Sequence, residues 1–104
     1  MSETVTFVTC RDVRQARTIA RALVGERLAA CVNVVPGVAS IYRWKGKVEE
    51  AREALLLVKS TSSRAKRLEA RVKELHSYEL PELLTLKVAG GSAGYLRWLR
   101  ENAR

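Results

Sequence analysis

The sequence is poor in the residues that build catalytic and metal centres, with two cysteines (Cys10, Cys31) and one histidine (His76). Two cysteines do not make a disulfide framework, and no CxxC or HxxxH pair indicates a closed structural zinc site. No apolar run is long enough to span a bilayer. The start, MSETVTFVTC, lacks the basic leader and apolar segment of a signal peptide. We therefore predict a cytoplasmic protein with reduced thiols and no membrane contact.

Acidic residues are also scarce, with 11 Asp and Glu against 19 Lys and Arg, so the formal net charge is +8. Such an excess of positive charge is typical of nucleic-acid-binding proteins. Here, however, the basic residues fall on the polar faces of two predicted helices, and no aromatic stacking motif lies between them. We interpret this charge as solvated helix surface and expect no specific nucleic-acid partner.

The pattern of apolar residues predicts one domain over residues 1–104, built from alternating strands and helices. Strands are expected at 4–10, 28–35, 38–48, 49–60 and 82–88. Helices are expected between the first two strands, after Ser62 or Ser63, and after Ser92. This order predicts an α+β, ferredoxin-like βαββαβ fold: an antiparallel sheet with helices on one face, a long central hairpin and a short C-terminal helix.

Local signals set the expected boundaries of these elements. Asp12 is expected to cap the first helix, and Gly25 to end it. Pro36-Gly37 has the composition of a turn, and Lys45-Gly46-Lys47 that of the bend at the tip of the hairpin.

The predicted sheet is apolar on both faces, most clearly in ALLLV at 54–58. A sheet with helices on one side only should instead alternate apolar and polar residues. Tyr42 and Trp44 add roughly 150–250 Å² of surface each, and leaving them in water creates a patch too large for a typical monomer. We therefore predict a homo-oligomer. The alternative is that the last helix folds back over the second face, but that helix is too short to cover four strands.

Cys10, at the end of the first strand, and His76, after the second helix, are candidate ligands for copper or zinc. Cys31 lies within a strand, where core packing is the commoner role, although a ligand role stays open. For His76 the structural alternative is a favourable interaction with the helix dipole. A cysteine–histidine hydrolase with Asn33 orienting the imidazole is conceivable, but nothing in the sequence sets that geometry.

Nearly the whole chain resembles the CutA divalent-cation tolerance family. The resemblance lies in the order and spacing of five segments: ERLAACVNVVPG, SIYRWKGKVEE, LLLVKS, HSYELPEL and YLRWL. The resemblance implies a tight PII-like trimer with long hairpins packed between subunits, and no enzymatic reaction. It implies Cys10 and His76 as ligands of copper or another divalent metal, with Leu75 and Ser77 replacing a histidine and a proline of the family pattern. It also implies an intersubunit cleft that gathers Tyr42, Trp44, Glu53, Lys59, His76 and Tyr78.

Two functions follow as hypotheses. The first is a cytosolic trimeric protein that binds a divalent metal, copper foremost, in an intersubunit cleft and is linked to cation tolerance. The second is a non-catalytic trimeric signalling or scaffold module that binds a small ligand or another protein, with metal binding incidental. Lys59 ends a buried strand and requires a counter-ion, for which Glu53 or Glu79 of another subunit are candidates.

Overall fold

The computed structural model describes residues 2–104, which form four strands and three α-helices. The strands are β1 (Glu3–Cys10), β2 (Cys31–Trp44), β3 (Lys47–Thr61) and β4 (Leu84–Lys87), and the helices are α1 (Val13–Gly25), α2 (Ala65–Leu75) and α3 (Ala93–Asn102). The strands pair antiparallel throughout, in the order β2-β3-β1-β4. The predicted α+β fold, with its four-stranded antiparallel sheet, is thereby confirmed. The sequence predicted five strand segments, whereas the structure has four strands, because two of the predicted segments belong to β2.

The core lies between the sheet and helices α1 and α2. Alternate side chains of β1 and β3 point to this side, and they are fully buried with the apolar residues of the two helices: Val8, Cys10, Leu56, Val58, Ile19, Leu23 and Val72. Complete burial stabilises each large aliphatic side chain by about 1.5–3 kcal/mol. No helix in residues 2–104 is long and apolar enough to cross a membrane.

Two predicted helix starts are confirmed, because each capping side chain accepts a backbone hydrogen bond. Asp12 Oδ1 accepts from the N–H of Gln15 at 2.8 Å, and Ser92 Oγ accepts from the N–H of Tyr95 at 3.3 Å. These bonds satisfy amide groups that a helix start leaves without intrahelical partners. The predicted serine cap of α2 is not formed, since a 3₁₀ turn, Ser62–Arg64, precedes that helix and its N-cap residue, Arg64, makes no side-chain capping bond.

Helix α1 ends at Gly25 as predicted, with Glu26 as its C-cap residue, but the left-handed residue that follows the cap is Arg27, with φ of 60°. Arg27 and the following residue close two backbone hydrogen bonds of 3.1 and 2.9 Å onto the last turn, as in a Schellman motif. A left-handed conformation is unfavourable for arginine. Here its guanidinium donates to the carbonyl oxygens of Glu101 and Arg104 at 2.7 and 2.6 Å, which joins the end of α1 to α3.

Strands β2 and β3 form the predicted hairpin, of 14 and 15 residues, closed by Lys45 and Gly46. Both turn residues have positive φ, 51° and 81°, as a two-residue type I′ turn requires. The outer part of the hairpin, residues 38–53, is mostly exposed, and the molecule measures 44 Å along its longest axis against 25 and 23 Å across. We call residues 38–53 the arm.

The prediction of a turn at Pro36-Gly37 is wrong, because residues 28–35 and 38–48 contribute to one continuous strand, β2. The two residues form a β-bulge instead. Strand β2 lies at the edge of the sheet, where the missing N–H of proline leaves no central ladder bond unmade. Gly37 has φ of 69°, which a residue without Cβ adopts readily.

The bulge changes which side chains of β2 face each side of the sheet. From Val35 to Val38 the strand advances three residues while β3 advances two, so β2 contains one extra residue. Because side chains alternate along a strand, one extra residue exchanges the two faces. Tyr42 and Trp44 therefore lie on the same face of the sheet as Glu53.

The face opposite α1 and α2, which we call the open face, is covered only at one end, by α3. Arg100 Nη1 lies 3.0 Å from Glu3 Oε2, and Thr61 Oγ1 donates to the carbonyl oxygen of Ala103 at 3.3 Å. Further along this face Leu84 and Leu86 are 59% and 52% exposed. The last helix therefore does fold back over the second face, as the sequence alternative held, but it leaves most of that face uncovered.

Candidate functional site

A cavity of about 850 Å³ lies at the base of the arm, between the arm and residues 77–82, which follow α2. We call it the arm pocket. Its principal aromatic and acidic lining residues are Tyr42, Trp44, Glu53, Tyr78, Glu79 and Glu82. Most pockets of this size that bind small molecules combine apolar or aromatic walls with a few placed polar groups. The arm pocket has that composition.

Glu53 and Tyr78 form the buried polar centre of the arm pocket. The Tyr78 hydroxyl donates to Glu53 Oε2 at 2.5 Å, a distance typical of a hydroxyl bonded to an ionised carboxylate. Glu53 is only 8% exposed. Burial, together with this bond to Glu53, raises the pKa of Tyr78 above its ordinary value, so the phenol remains a hydrogen-bond donor at neutral pH.

His76 stabilises the position of the segment that contains Tyr78. Its Nδ1 accepts from the backbone N–H of Tyr78 at 3.1 Å, and its Nε2 lies 2.7 Å from the carbonyl oxygen of Thr9. Because a carbonyl oxygen only accepts, Nε2 carries the proton. The ring also contacts Tyr78, with centroids 4.6 Å apart. Both nitrogens are therefore engaged within the protein, and the imidazole fastens residues 76–78 to the end of β1.

Cys10 is fully buried on the helix side of the sheet, as part of the core. Burial raises the pKa of its thiol to about 12, and the charges of Glu53 and Asp12 act in the same direction. A metal ligand must be a thiolate, so this environment opposes metal binding. No three His, Cys, Asp or Glu side chains within residues 2–104 are grouped to hold a metal. As placed in one chain, Cys10 and His76 do not fit a copper site.

Lys59 is not part of the arm pocket of its own chain. It lies six residues beyond Glu53 on the same strand, about 20 Å away at 3.3 Å per residue. There its Nζ donates to Asn33 Oδ1 on the open face, beside its strand partner Cys31. The Cys31 thiol is partly buried and outside the main core cluster. Asn33 Oδ1 accepts from Lys59, whereas the two ring nitrogens of His76 bond Thr9 and Tyr78, so the hydrolase arrangement is not formed within one chain.

The arm pocket contains residues that the sequence did not single out, notably Thr9 and Glu82. Burial and the charge of Glu53 raise the pKa of Glu82, while a hydrogen bond from Thr9 opposes that shift. Glu82 was expected at the start of a strand, but β4 begins two residues later. Glu82 lies near Glu53 only because the chain folds, since the two residues are 29 positions apart. No local sequence pattern predicts such a contact.

The chain matches known proteins along almost its whole length. The family model described as CutA1 divalent ion tolerance protein matches residues 4–102. The divalent-cation tolerance protein CutA of Thermus thermophilus is 56% identical over 100 residues, which cover 96% of this chain and 97% of that one. Protein CutA of Homo sapiens is 46% identical over 100 residues, and there the match spans only 56% of the human protein.

Solved structures share the fold. The structure of the divalent cation tolerance protein from Thermus thermophilus superposes with a TM-score of 0.96 at 55% identity, covering 98% of this chain and 99% of that one. The protein titled periplasmic divalent cation tolerance protein CutA, from Archaeoglobus fulgidus, superposes with a TM-score of 0.94 at 31% identity, covering 98% and 99%. These names describe cation tolerance, and none of them names an enzyme.

Proposed function

Because this chain belongs to the CutA1 divalent ion tolerance protein family, we propose that it is a non-catalytic homotrimer that binds a small ligand in the arm pocket. The observation that carries this proposal is the hydrogen bond between buried Glu53 and half-buried Tyr78 in a cavity of about 850 Å³ with aromatic walls. A preformed polar centre inside an apolar cavity fixes the orientation of a ligand. A cytoplasmic location is part of the proposal, supported by two free cysteines.

The trimer is supported by the surface that one chain leaves in water. The open face and the arm expose Ile41, Tyr42, Val48, Leu84 and Leu86 to between 43% and 71%. Exposed apolar surface of this extent, on both faces of the arm and on the open face, marks an interaction site. A second copy is the partner that these residues favour, since a symmetric assembly covers the same surface on every subunit. The arm pocket would then open onto a neighbouring subunit.

Ligand binding is tested by screening a fragment library of mixed charge against the Trp98→Phe variant, in which Trp44 is the one remaining tryptophan. Binding is followed through the indole N–H resonance of Trp44. We expect hits that shift this resonance and lose affinity in Tyr78→Ala. The matched control is Tyr95→Ala, which removes an exposed tyrosine from α3 and should leave the hits unchanged. A library that yields no hit at Trp44 contradicts the proposal.

The second candidate function is copper or other divalent-metal binding through Cys10 and His76. The observation that favours it is the family description itself, which names divalent ion tolerance. Within one chain His76 has both nitrogens in hydrogen bonds and Cys10 is buried. Binding through these residues therefore requires the imidazole to leave Thr9 or Tyr78, together with further ligands from another copy.

Titration with Cu(I) and Cu(II) against a competing chelator separates the two candidates. Submicromolar binding that is lost in Cys10→Ala and in His76→Ala supports a metal site. The matched control is Cys31→Ala, which removes the other thiol, at the far end of the sheet. Weak binding that is the same in all four proteins excludes Cys10 and His76 as ligands and leaves the arm pocket as the functional site.

A further inference from the structure

The arm pocket is acidic in a basic protein. The chain has 19 Lys and Arg among 104 residues, yet the lining of the pocket contains no Lys or Arg and has three carboxylates, those of Glu53, Glu79 and Glu82. Elsewhere four of the seven other glutamates, Glu3, Glu26, Glu69 and Glu74, lie in ion pairs with arginine or lysine. Within residues 2–104 none of the three pocket carboxylates does.

Glu53 is the most exceptional of the three, because it is more than nine-tenths buried and still has no cationic partner. The Tyr78 hydroxyl donates to Oε2, while Oε1 has no hydrogen bond within residues 2–104 and stays accessible from the pocket, since no fully buried side-chain oxygen in that range lacks a partner. A carboxylate held out of water is costly unless a cation compensates it. The charge of Glu53 also contributes to the raised pKa of Glu82. A positive group bound between Glu53 and Glu82 lowers the cost of burying the Glu53 charge and reduces the repulsion between the two carboxylates.

The walls of the pocket are suited to an organic cation in particular. Tyr42, Trp44 and Tyr78 present aromatic faces or edges, and aromatic faces attract ammonium groups through their quadrupole. Trp44 already has one such contact, with the ammonium nitrogen of Lys45 lying 5.7 Å from its ring centroid. A cavity of about 850 Å³ is far larger than a bare metal ion needs. Aromatic walls combined with unpaired carboxylates recognise a positive charge attached to an apolar body.

We propose that the arm pocket selects small organic ammonium ions, with the charged nitrogen bound at Glu53 and Glu82 and the apolar part against Tyr42 and Trp44. This inference rests on the proposed function, which makes the arm pocket a ligand site, and adds the chemical class of the ligand. The alternative occupant is the Lys59 ammonium group of a second copy, which the experiment distinguishes.

The test compares three compounds with the same phenyl frame, namely benzylamine, benzyl alcohol and benzoate, at neutral pH and constant ionic strength. Binding to the Trp98→Phe protein is measured by the Trp44 indole resonance and by calorimetry. We expect benzylamine to bind at least about tenfold more tightly than benzyl alcohol, because it adds a charge-assisted hydrogen bond. Benzoate should bind most weakly of the three.

Variants assign the charge selectivity to its residues. Glu53→Gln and, separately, Glu82→Gln should each remove most of the preference for benzylamine over benzyl alcohol. Using both variants keeps the test valid if one of them fails to fold. The matched control is Glu101→Gln, which makes the same change of net charge on α3 and should preserve the preference.

The other outcomes overturn the inference in distinguishable ways. Equal affinity for the three compounds leaves the arm pocket a ligand site and refutes cation selectivity. Absence of binding by any compound, together with an empty fragment screen, refutes the proposed function as well. Benzylamine binding that appears only in Lys59→Met shows that a second copy supplies the cation, which refutes the small-molecule ligand.

Discussion

Replacing Leu84 and Leu86 by lysine is expected to dissociate the proposed trimer. The two side chains lie on the open face and are 59% and 52% exposed in the single chain. Complete burial of a leucine is worth about 1.5–3 kcal/mol, so covering the exposed half of both contributes about 1.5–3.5 kcal/mol per subunit. Lysine forfeits this contribution and adds an unpaired charge to the interface. A loss of about 2 kcal/mol corresponds to roughly thirtyfold weaker association.

Sedimentation velocity across the micromolar range measures this effect. The wild-type protein should sediment as three subunits, and the Leu84→Lys/Leu86→Lys protein should shift toward one. The control is Val13→Lys/Val24→Lys, which places the same two charges on exposed apolar positions of α1, away from the open face. A wild-type protein that sediments as one subunit refutes the reasoning, and so does a double variant that remains as trimeric as the control.

Three further outcomes follow from the structure. Tyr78→Phe should lower the free energy of unfolding by about 1.5–3 kcal/mol, because it removes a hydrogen bond to a buried charged group. Chemical denaturation measures this difference. An unchanged denaturation midpoint would mean that water replaces the hydroxyl at Glu53. Gly37→Ala should cost about 1–2 kcal/mol at its φ of 69°, while Gly25→Ala, in a helix with open space around it, should be neutral or stabilising. Cys10 keeps its proton to about pH 12 in the folded state but loses it above its ordinary value of 9.0 when unfolded, so its contribution is complete below pH 9 and declines above it. From pH 8 to pH 10 the wild type should lose about 1.4 kcal/mol more than Cys10→Ala, and parallel pH profiles would contradict the burial of the thiol.

The features that the sequence predicted correctly depend on local chemistry. Asp12 and Ser92 cap helices because their side chains reach amide groups three residues away. The hairpin tip at Lys45-Gly46 follows from the backbone requirements of a two-residue turn. The lack of alternation in strands such as 54–58, which are apolar on both sides, also predicted a face that α1 and α2 do not cover. Each of these signals lies within a few residues of the feature it predicts.

The features that the sequence did not predict depend on distant parts of the chain. Pro36-Gly37 has the same composition in a turn as in a bulge, and only the pairing of β2 with β3 decides between them. Arg27 adopts a glycine-like conformation supported by carbonyl groups more than 70 positions away. The site shows the same limit, since the contact between Glu53 and Tyr78 joins positions far apart in the chain, and the grouping of Lys59 with them in an intersubunit cleft stays a prediction that needs a second copy. Strand geometry puts Lys59 about 20 Å from Glu53 in one chain.

The arm has a further consequence for how occupancy and assembly depend on each other. A two-stranded hairpin without a core of its own is only marginally stable in water. The arm is such a hairpin, and Tyr42 and Trp44 lie in it. A ligand that binds the Tyr42 and Trp44 side chains would also restrict the conformation of the arm, and therefore of the surface that contacts a neighbouring subunit. For the proposed trimer, thermodynamic reciprocity requires that the factor by which a ligand strengthens assembly equals the factor by which assembly strengthens ligand binding. Ligand occupancy of the arm pocket in the proposed trimer would then increase with the concentration of the protein.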